Sequence, residues 1–289
     1  MPVPIAGEQL EPERFTSAGT LMAADIAVVI PTFRRNREVV EAVLSALQQE
    51  GVSVEIVVVD DCPDGSAQRA IEAIGNPQVC YVRNPQPSGG RPGQVRNIGW
   101  PLTRAPLIHF LDDDDHVPPG HYAQVCQAFS QRPGVGVVFG HVEPFGMVDT
   151  QVAQESTYFR KAAQRSRDSG RFGSKWAFAA NMYFGSTLLV CGAALIRRPC
   201  VEALEGFNPE LRLMEDVDFY ARAIRRFGAH FCDRESLRYR IGPSLMHRPD
   251  IQPLVDESYE RIHADYRKQW GHLNFLALKM FARGILRVN

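Results

Sequence analysis

The sequence predicts an α/β protein, with a mostly parallel central sheet flanked by helices and a C-terminal helical segment. Three observations predict it. Five short apolar runs (Ile26–Ile30, Ile56–Val59, Val79–Val82, Leu107–Leu111 and Val135–Phe139) are separated by stretches of helical character. The runs are apolar throughout rather than alternating, as in strands covered on both faces. From about Ile251 onward the pattern is helical to the end. Strand–helix alternation folds through right-handed crossovers, so strand ends line one edge of the sheet, and ligands bind there.

The elements follow in order. Ile26–Ile30 is closed by Pro31, and a helix opens at Asn36, with Val39, Val40, Val43, Leu44 and Leu47 at helical spacing until Gly51. The second strand ends in Asp60-Asp61. Ser66–Ile74 reads as a helix and Val79–Val82 as a short strand. A loop, Ser88–Gly93, leads into a short helix over Gln94–Trp100. Leu107–Leu111 runs into four consecutive aspartates, Asp112–Asp115. After Pro118-Pro119 a helix reaches about Ser130. Asp149–Lys175 is polar with weak periodicity and is expected to be a long loop or lid, at most with a short helix. Trp176–Ile196 carries no charge over 21 residues, but Asn181, Gly185, Ser186, Thr187 and Gly192 dilute it. A buried helix and strand is expected there rather than a membrane span. Val217, Ala221, Ile224 and Gly228 mark a helix that stops at the glycine. In the last stretch Leu273, Leu276, Ala277, Met280 and Ile285 share one side, with Lys279, Arg283 and Arg287 elsewhere. Packing of that helix against the body is expected, with a basic amphipathic helix on a membrane surface as the alternative.

The chain of 289 residues is 45% apolar, enough for a sizeable core, and its formal charge is −1. That balance gives no bulk argument for nucleic-acid binding. Six cysteines form no C-x-x-C and read as reduced thiols of a cytoplasmic protein. Met1–Asp25 has no apolar core of a signal peptide.

The chemistry is expected at the strand ends. At an extended strand end Asp112 and Asp114 point one way, Asp113 and Asp115 the other. Such carboxylates suit Mg²⁺ or Mn²⁺ completed by substrate phosphates and water; the alternative is a solvated acidic turn. Asp60 and Asp61 suit hydrogen bonding to a nucleobase or ribose, or an Asx-turn. In "PTFRRNR", Arg34, Arg35 and Arg37 stand near a helix start and suit phosphate, or Arg37 pairs with Glu41. Arg91 and Arg96 in "SGGRPGQVRN" are further diphosphate candidates, though this is no P-loop. Glu215, Asp216 and Asp218 open a helix, either as plain capping or as a general base, with Asp218 the least available because Arg222 stands four residues on. His247 is a candidate metal ligand or phosphate contact.

In order, "VVIPTFRR", "IVVVDDCPDGS", "GGRPGQVRNIG", "HFLDDDD", "LLVCGAALIRR" and "GFNPELRLMEDVDFYARAIRRFG" resemble the family-2 glycosyltransferases, from about Ile26 to Pro249. The resemblance implies the GT-A fold, built on a Rossmann-like sheet, and inverting, non-processive transfer from a nucleotide-diphosphate sugar, UDP-sugars favoured, with Mn²⁺ or Mg²⁺. It implies Asp216 as base with Glu215 in reserve. Asp60 would read the nucleobase, Asp112 the ribose, and Asp114 the metal, helped by Asp115. Pro31, Thr32, Phe33, Arg34, Asp61, Arg91, Arg96 and Asp113 complete the expected donor pocket. The acceptor would be a glycan, a lipid-linked glycan or a small molecule, in polysaccharide biosynthesis, with at most peripheral membrane contact at the inner face. Four aspartates leave the D-x-D register open by one residue. "RKQWG" departs from the Q-x-x-R-W of processive synthases, which puts processivity in doubt. The competing readings are a nucleotidyltransferase and a non-catalytic nucleotide-sugar-binding module. Expected boundaries are an N-terminal extension (1–24), a donor half (25–145), an acceptor and catalytic half (146–249) and C-terminal helices (250–289).

Overall fold

The computed structural model describes residues 24–173, 175–185, 187–242, 250–284 and 286, and the backbone of 13–15. His247 lies outside the described residues. Strands β1 (Glu13–Phe15), β2 (Ile26–Thr32), β3 (Val54–Asp60), β4 (Val79–Arg83), β5 (Leu107–Phe110), β6 (Val137–Phe145), β7 (Ala194–Arg197) and β8 (Ala229–Arg240) form one sheet. Its order is β1-β4-β3-β2-β5-β7-β6-β8. Neighbours β4-β3-β2-β5 run parallel, as do β6 and β8, while β7 lies antiparallel between β5 and β6.

Every residue of β2, β3 and β5 is buried, which is why these strands are apolar apart from Thr32, Glu55, Asp60 and His109. The register places Thr32 beside Asp60 across β2 and β3, and Val29 beside Phe110 across β2 and β5. Strands β2 and β3 therefore finish level while β5 stops three residues short, and the chain beyond β5 continues alongside until Asp113 reaches Thr32, so the segments that follow the three strands meet at one crevice. Helix α1 (Glu38–Leu47) buries Val39, Ala42, Val43 and Ala46, and α2 (Gln68–Glu72) buries Ile71. Helix α3 (Pro92–Gly99) lies hard against the sheet, because a Cβ on Gly99 would stand 2.5 Å from Val29 Cγ1. Helix α4 (His121–Gln131) buries Tyr122, Val125 and Phe129.

The second half departs from expectation in three places. Asp149–Arg171 is a 23-residue helix, α5, rather than a loop or lid. Its buried stripe is Phe159, Ala162, Ala163, Ser166 and Ser169, packed against β6, β8 and α6 (Lys175–Phe184). Alanine and serine make a stripe that fits close to a sheet yet gives little hydrophobic periodicity. Ser166 satisfies its buried hydroxyl on the Ala162 carbonyl. Strand β8 was not expected at all: its sequence, "AHFCDRESLRYR", carries five charged residues in twelve because it is the sheet's last strand. It is also bulged against β6 near His141.

The uncharged stretch is α6 followed by β7, and no helix among the described residues is long and apolar enough to cross a membrane. Helices α7 (Arg198–Leu204) and α8 (Glu215–Phe227) follow, then α9 (Gln252–Trp270) and α10 (His272–Gly284). The face α10 turns inward is Phe275, Leu278 and Ala282. The expected face, Leu273, Leu276, Ala277 and Met280, points outward.

Candidate active site

The acidic strand end folds as the pleat dictates. Asp112 and Asp114 keep partial exposure toward the crevice; Asp113 and Asp115 are buried. Asp113 ties the strand ends together. Its Oδ2 accepts from the Thr32 hydroxyl at 2.7 Å and the Phe33 N–H at 3.4 Å, and its Oδ1 from Arg35 at 2.8 Å. Arg35 also reaches Asp114 Oδ2 at 2.7 Å, so one guanidinium spans both carboxylates. Burial pushes Asp114 up to about 6, with Asp112 and Asp113 adding to it against the pull of Arg35. Asp115 accepts from the Arg240 N–H through Oδ1 at 2.9 Å, and burial and its acidic neighbours hold it far above the usual carboxylate range. It faces the body of the fold and does not join Asp114.

The remaining expected donor residues are distributed unevenly. Asp60 is fully buried: Oδ1 accepts from the Cys62 N–H at 2.9 Å, and Oδ2 from the Ala67 N–H at 2.9 Å and the Tyr81 hydroxyl at 3.0 Å. These bonds make it the organiser of the turn into α2. Asp61 accepts from Asn84 Nδ2 at 2.7 Å, the Ser88 N–H at 2.9 Å and the Ser88 hydroxyl at 2.7 Å. It thereby fixes the loop that carries Arg91, which is exposed. Pro31 and Thr32 end β2, and Phe33 stands 49% exposed at the crevice rim. Arg34 adopts φ of 56° and lays its guanidinium 5.2 Å from the Phe33 ring centre, while Arg37 pairs with Glu41 at 3.1 Å. The arginine that meets the aspartates is thus Arg35 rather than Arg34.

Arg96 is not open to a diphosphate. It is 3% exposed, and its two terminal nitrogens bind Asp112 Oδ1 at 2.6 Å and Glu215 Oε1 at 2.8 Å. Its guanidinium lies 5.3 Å from the Phe207 ring centre, and Phe207 stacks on Phe219 of α8 at 4.2 Å. One buried cation therefore joins the acidic end of β5 to the start of α8.

The first turn of that helix carries three acids, Glu215, Asp216 and Asp218. Met214, its N-cap, holds φ of 60°, an uncommon backbone for a residue with a side chain. Glu215 is buried and held by Arg96. Asp218 is buried and paired with Arg222 at 2.7 Å. Asp216 has no ion-pair partner among the described residues; it accepts the Val217 N–H at 2.8 Å. It sits deep in the crevice yet keeps part of its side chain open to solvent. Burial, then the charges of Glu215 and Asp112, push it up to about 7 against the pull of Arg96.

Two tyrosines that the sequence did not single out complete the wall. Tyr158 of α5 and Tyr259 of α9 share hydrogen bonds with Thr187, and the charge of Asp216 adds to burial in raising both phenols. They come from helices distant in sequence, and isolated tyrosines carry no motif.

Among the described residues no three His, Cys, Asp or Glu side chains gather into a metal cage. What is present is an over-negative cluster with two crevice-facing carboxylates, Asp112 and Asp114. That set fits Mg²⁺ or Mn²⁺, which bind through one or two carboxylates plus phosphates and water.

Residues 27–198 match the family described as Glycosyl transferase family 2. The chain is similar to the succinoglycan biosynthesis protein ExoO of Rhizobium meliloti, 39% identical over 103 residues, which is 36% of this chain and 29% of that protein. The chain spans less than two thirds of the first curated relatives it matches, 29% and 62% of their lengths. Its fold is similar to that of Staphylococcus aureus TarS 1–349 in complex with UDP-GlcNAc, with a TM-score of 0.62 and 18% identity over 84% of this chain and 66% of that one. It is also similar to the mannosyltransferase PcManGT of Pyrobaculum calidifontis in complex with GDP-Man and Mn²⁺, with a TM-score of 0.55 and 15% identity over 89% of this chain and 79% of that one. With a match over more than half its length, the chain belongs to glycosyl transferase family 2.

Proposed function

We propose that this protein transfers a sugar from a nucleotide-diphosphate sugar to an acceptor hydroxyl, with inversion, one sugar per encounter. The observation that carries the reading is the partition of three carboxylates around Arg96. Asp112 and Glu215 share its charge, and Asp216, next to both, is left unpaired with a pKa near neutrality. A general base works best when its pKa lies near the working pH. Asp216 takes the proton of the attacking hydroxyl. Glu215, being locked, sets the position and electrostatics of its neighbour.

The donor lies along the strand ends. Asp112 faces its ribose, Phe33 and the loop held by Asp61 border the nucleoside, and Arg91 and Arg35 answer the diphosphate. Asp114, with Asp112 beside it, would hold Mn²⁺ or Mg²⁺, and such an ion stabilises the charge that grows on the departing diphosphate. Arg35 neutralises Asp113 and Asp114, and would be free to turn toward the phosphates once those carboxylates held a cation. The crystallised relatives with UDP-GlcNAc and with GDP-Man and Mn²⁺ support a nucleotide-sugar donor; UDP is favoured here. On the acceptor side, Tyr158 and Tyr259 offer ring faces and hydroxyls beside the base, which suits a carbohydrate. A glycan or lipid-linked acceptor in polysaccharide assembly accords with the ExoO similarity. The halves meet at Arg96, with 25–145 contributing the donor side and 146–249 the base.

Calorimetric titration of nucleotide sugars with and without Mn²⁺ tests the donor site. Binding is expected to need the cation, and Asp114→Ala is expected to abolish that dependence together with tight binding. Donor affinity that ignores both chelation and Asp114→Ala would refute the metal assignment.

A further inference from the structure

Helix α10 is apolar on both faces. Its inner face, Phe275, Leu278 and Ala282, is buried against α6 and α9, with Phe275 5.1 Å from Phe184 and 5.9 Å from Tyr266 between ring centres. Its outer face is Leu273, Leu276, Ala277 and Met280, and the three large side chains are 83%, 42% and 74% exposed. These positions fall three and four residues apart, one continuous stripe along the helix. A helix apolar all round belongs in a core or a membrane, so a face like this in water calls for a partner. Phe172, 48% exposed at the end of α5, extends the apolar surface through its ring contact with Phe281 of α10.

The charges say which partner. Residues 272–284, "HLNFLALKMFARG", contain no aspartate or glutamate. Lys279 and Arg283 flank the stripe, Lys268 is exposed at the end of α9, and Arg171 and Lys175 are exposed on either side of Phe172 and its neighbours in the α5–α6 turn. A second copy of this chain, meeting the stripe face to face, would set these cations against themselves. An apolar stripe bordered by cations matches an anionic bilayer surface, whose headgroups take the cations while the acyl boundary takes the leucines and methionine.

We propose that α10 docks this protein onto anionic membranes, lying in the interface with Leu273, Leu276 and Met280 inserted and Lys279 and Arg283 at the headgroups. Helix α10 packs on α9, which carries Tyr259 beside Asp216, so docking brings the base-bearing side of the crevice toward the bilayer. The proposal stands apart from the catalytic reading, since neither α10 face contributes to the crevice.

Co-sedimentation of the full chain with phosphatidylcholine vesicles, with and without phosphatidylglycerol, tests it. Binding to the mixed vesicles is expected, at least about tenfold tighter than to neutral ones and weakening with salt. The pair Leu273→Ser and Met280→Ser is expected to weaken it by about tenfold or more, as is the pair Lys279→Glu and Arg283→Glu. All but Lys279 are exposed, and circular dichroism checks that each variant folds. No binding to mixed vesicles, equal binding to neutral ones, or full binding by the Ser pair overturns the proposal. So does light scattering that shows a dimer which the Ser pair dissociates, because the stripe is then a contact between copies.

Discussion

Asp216 and its neighbours show how one guanidinium sorts adjacent carboxylates into different tasks. Because Asp216 is raised to about 7, it is protonated below neutrality and cannot accept a proton there. Transfer is therefore expected to rise with pH through an acid limb near 7. Asp216→Asn is expected to lower kcat by about 10²–10⁴-fold and to remove that limb. Asp114, raised to about 6, adds a second dependence: below that pH protonation competes with a cation, so Mn²⁺-dependent donor affinity is expected to fall. Removing Arg96 would leave Asp112 and Glu215 close together without their shared cation. Arg96→Met is expected to destabilise the fold by about 3–5 kcal/mol, measured by urea unfolding. At this scale the sequence was legible where spacing alone decides. The alternation of Asp112 to Asp115 follows from the pleat, and the Asp218–Arg222 pair from helical spacing. The burial of Arg96 and Asp60 was not legible, because an arginine in a short helix and a strand-end aspartate look the same whether they face solvent or each other's neighbours.

The strands and helices of the first half were readable because each strand is covered on both faces. The second half hid two elements for opposite reasons. Helix α5 buries mostly alanine and serine, so its core face resembles a polar loop. Strand β8 closes the sheet at an edge and so carries charge. The bulge between β6 and β8 depends on Gly140, where a Cβ would overlap the carbonyl oxygen of Arg234. Gly140→Ala is expected to cost about 1–3 kcal/mol in thermal or urea unfolding. The end of β8 supplies Arg240, whose side chain binds the Asp114 carbonyl at 2.8 Å and Glu41 at 2.6 Å, so the cost is expected to appear as looser donor binding too.

At the scale of the whole molecule, neighbouring parallel strands bring three distant segments to one crevice, and an antiparallel strand then returns the chain so that α8 begins there. The parallel strands β2, β3 and β5 and helix α8 are separate stretches of sequence, and Arg96 is the buried link between the end of β5 and the start of α8. The central claim is that this crevice performs metal-dependent sugar transfer with Asp216 as base. The most direct measurement is nucleoside-diphosphate release from a panel of nucleotide sugars with Mn²⁺ and an acceptor glycan, for the wild-type chain and Asp216→Asn side by side. The account predicts release by the wild-type chain that chelation abolishes, and release at least about 10²-fold slower in the variant. Equal rates for the two proteins would contradict it.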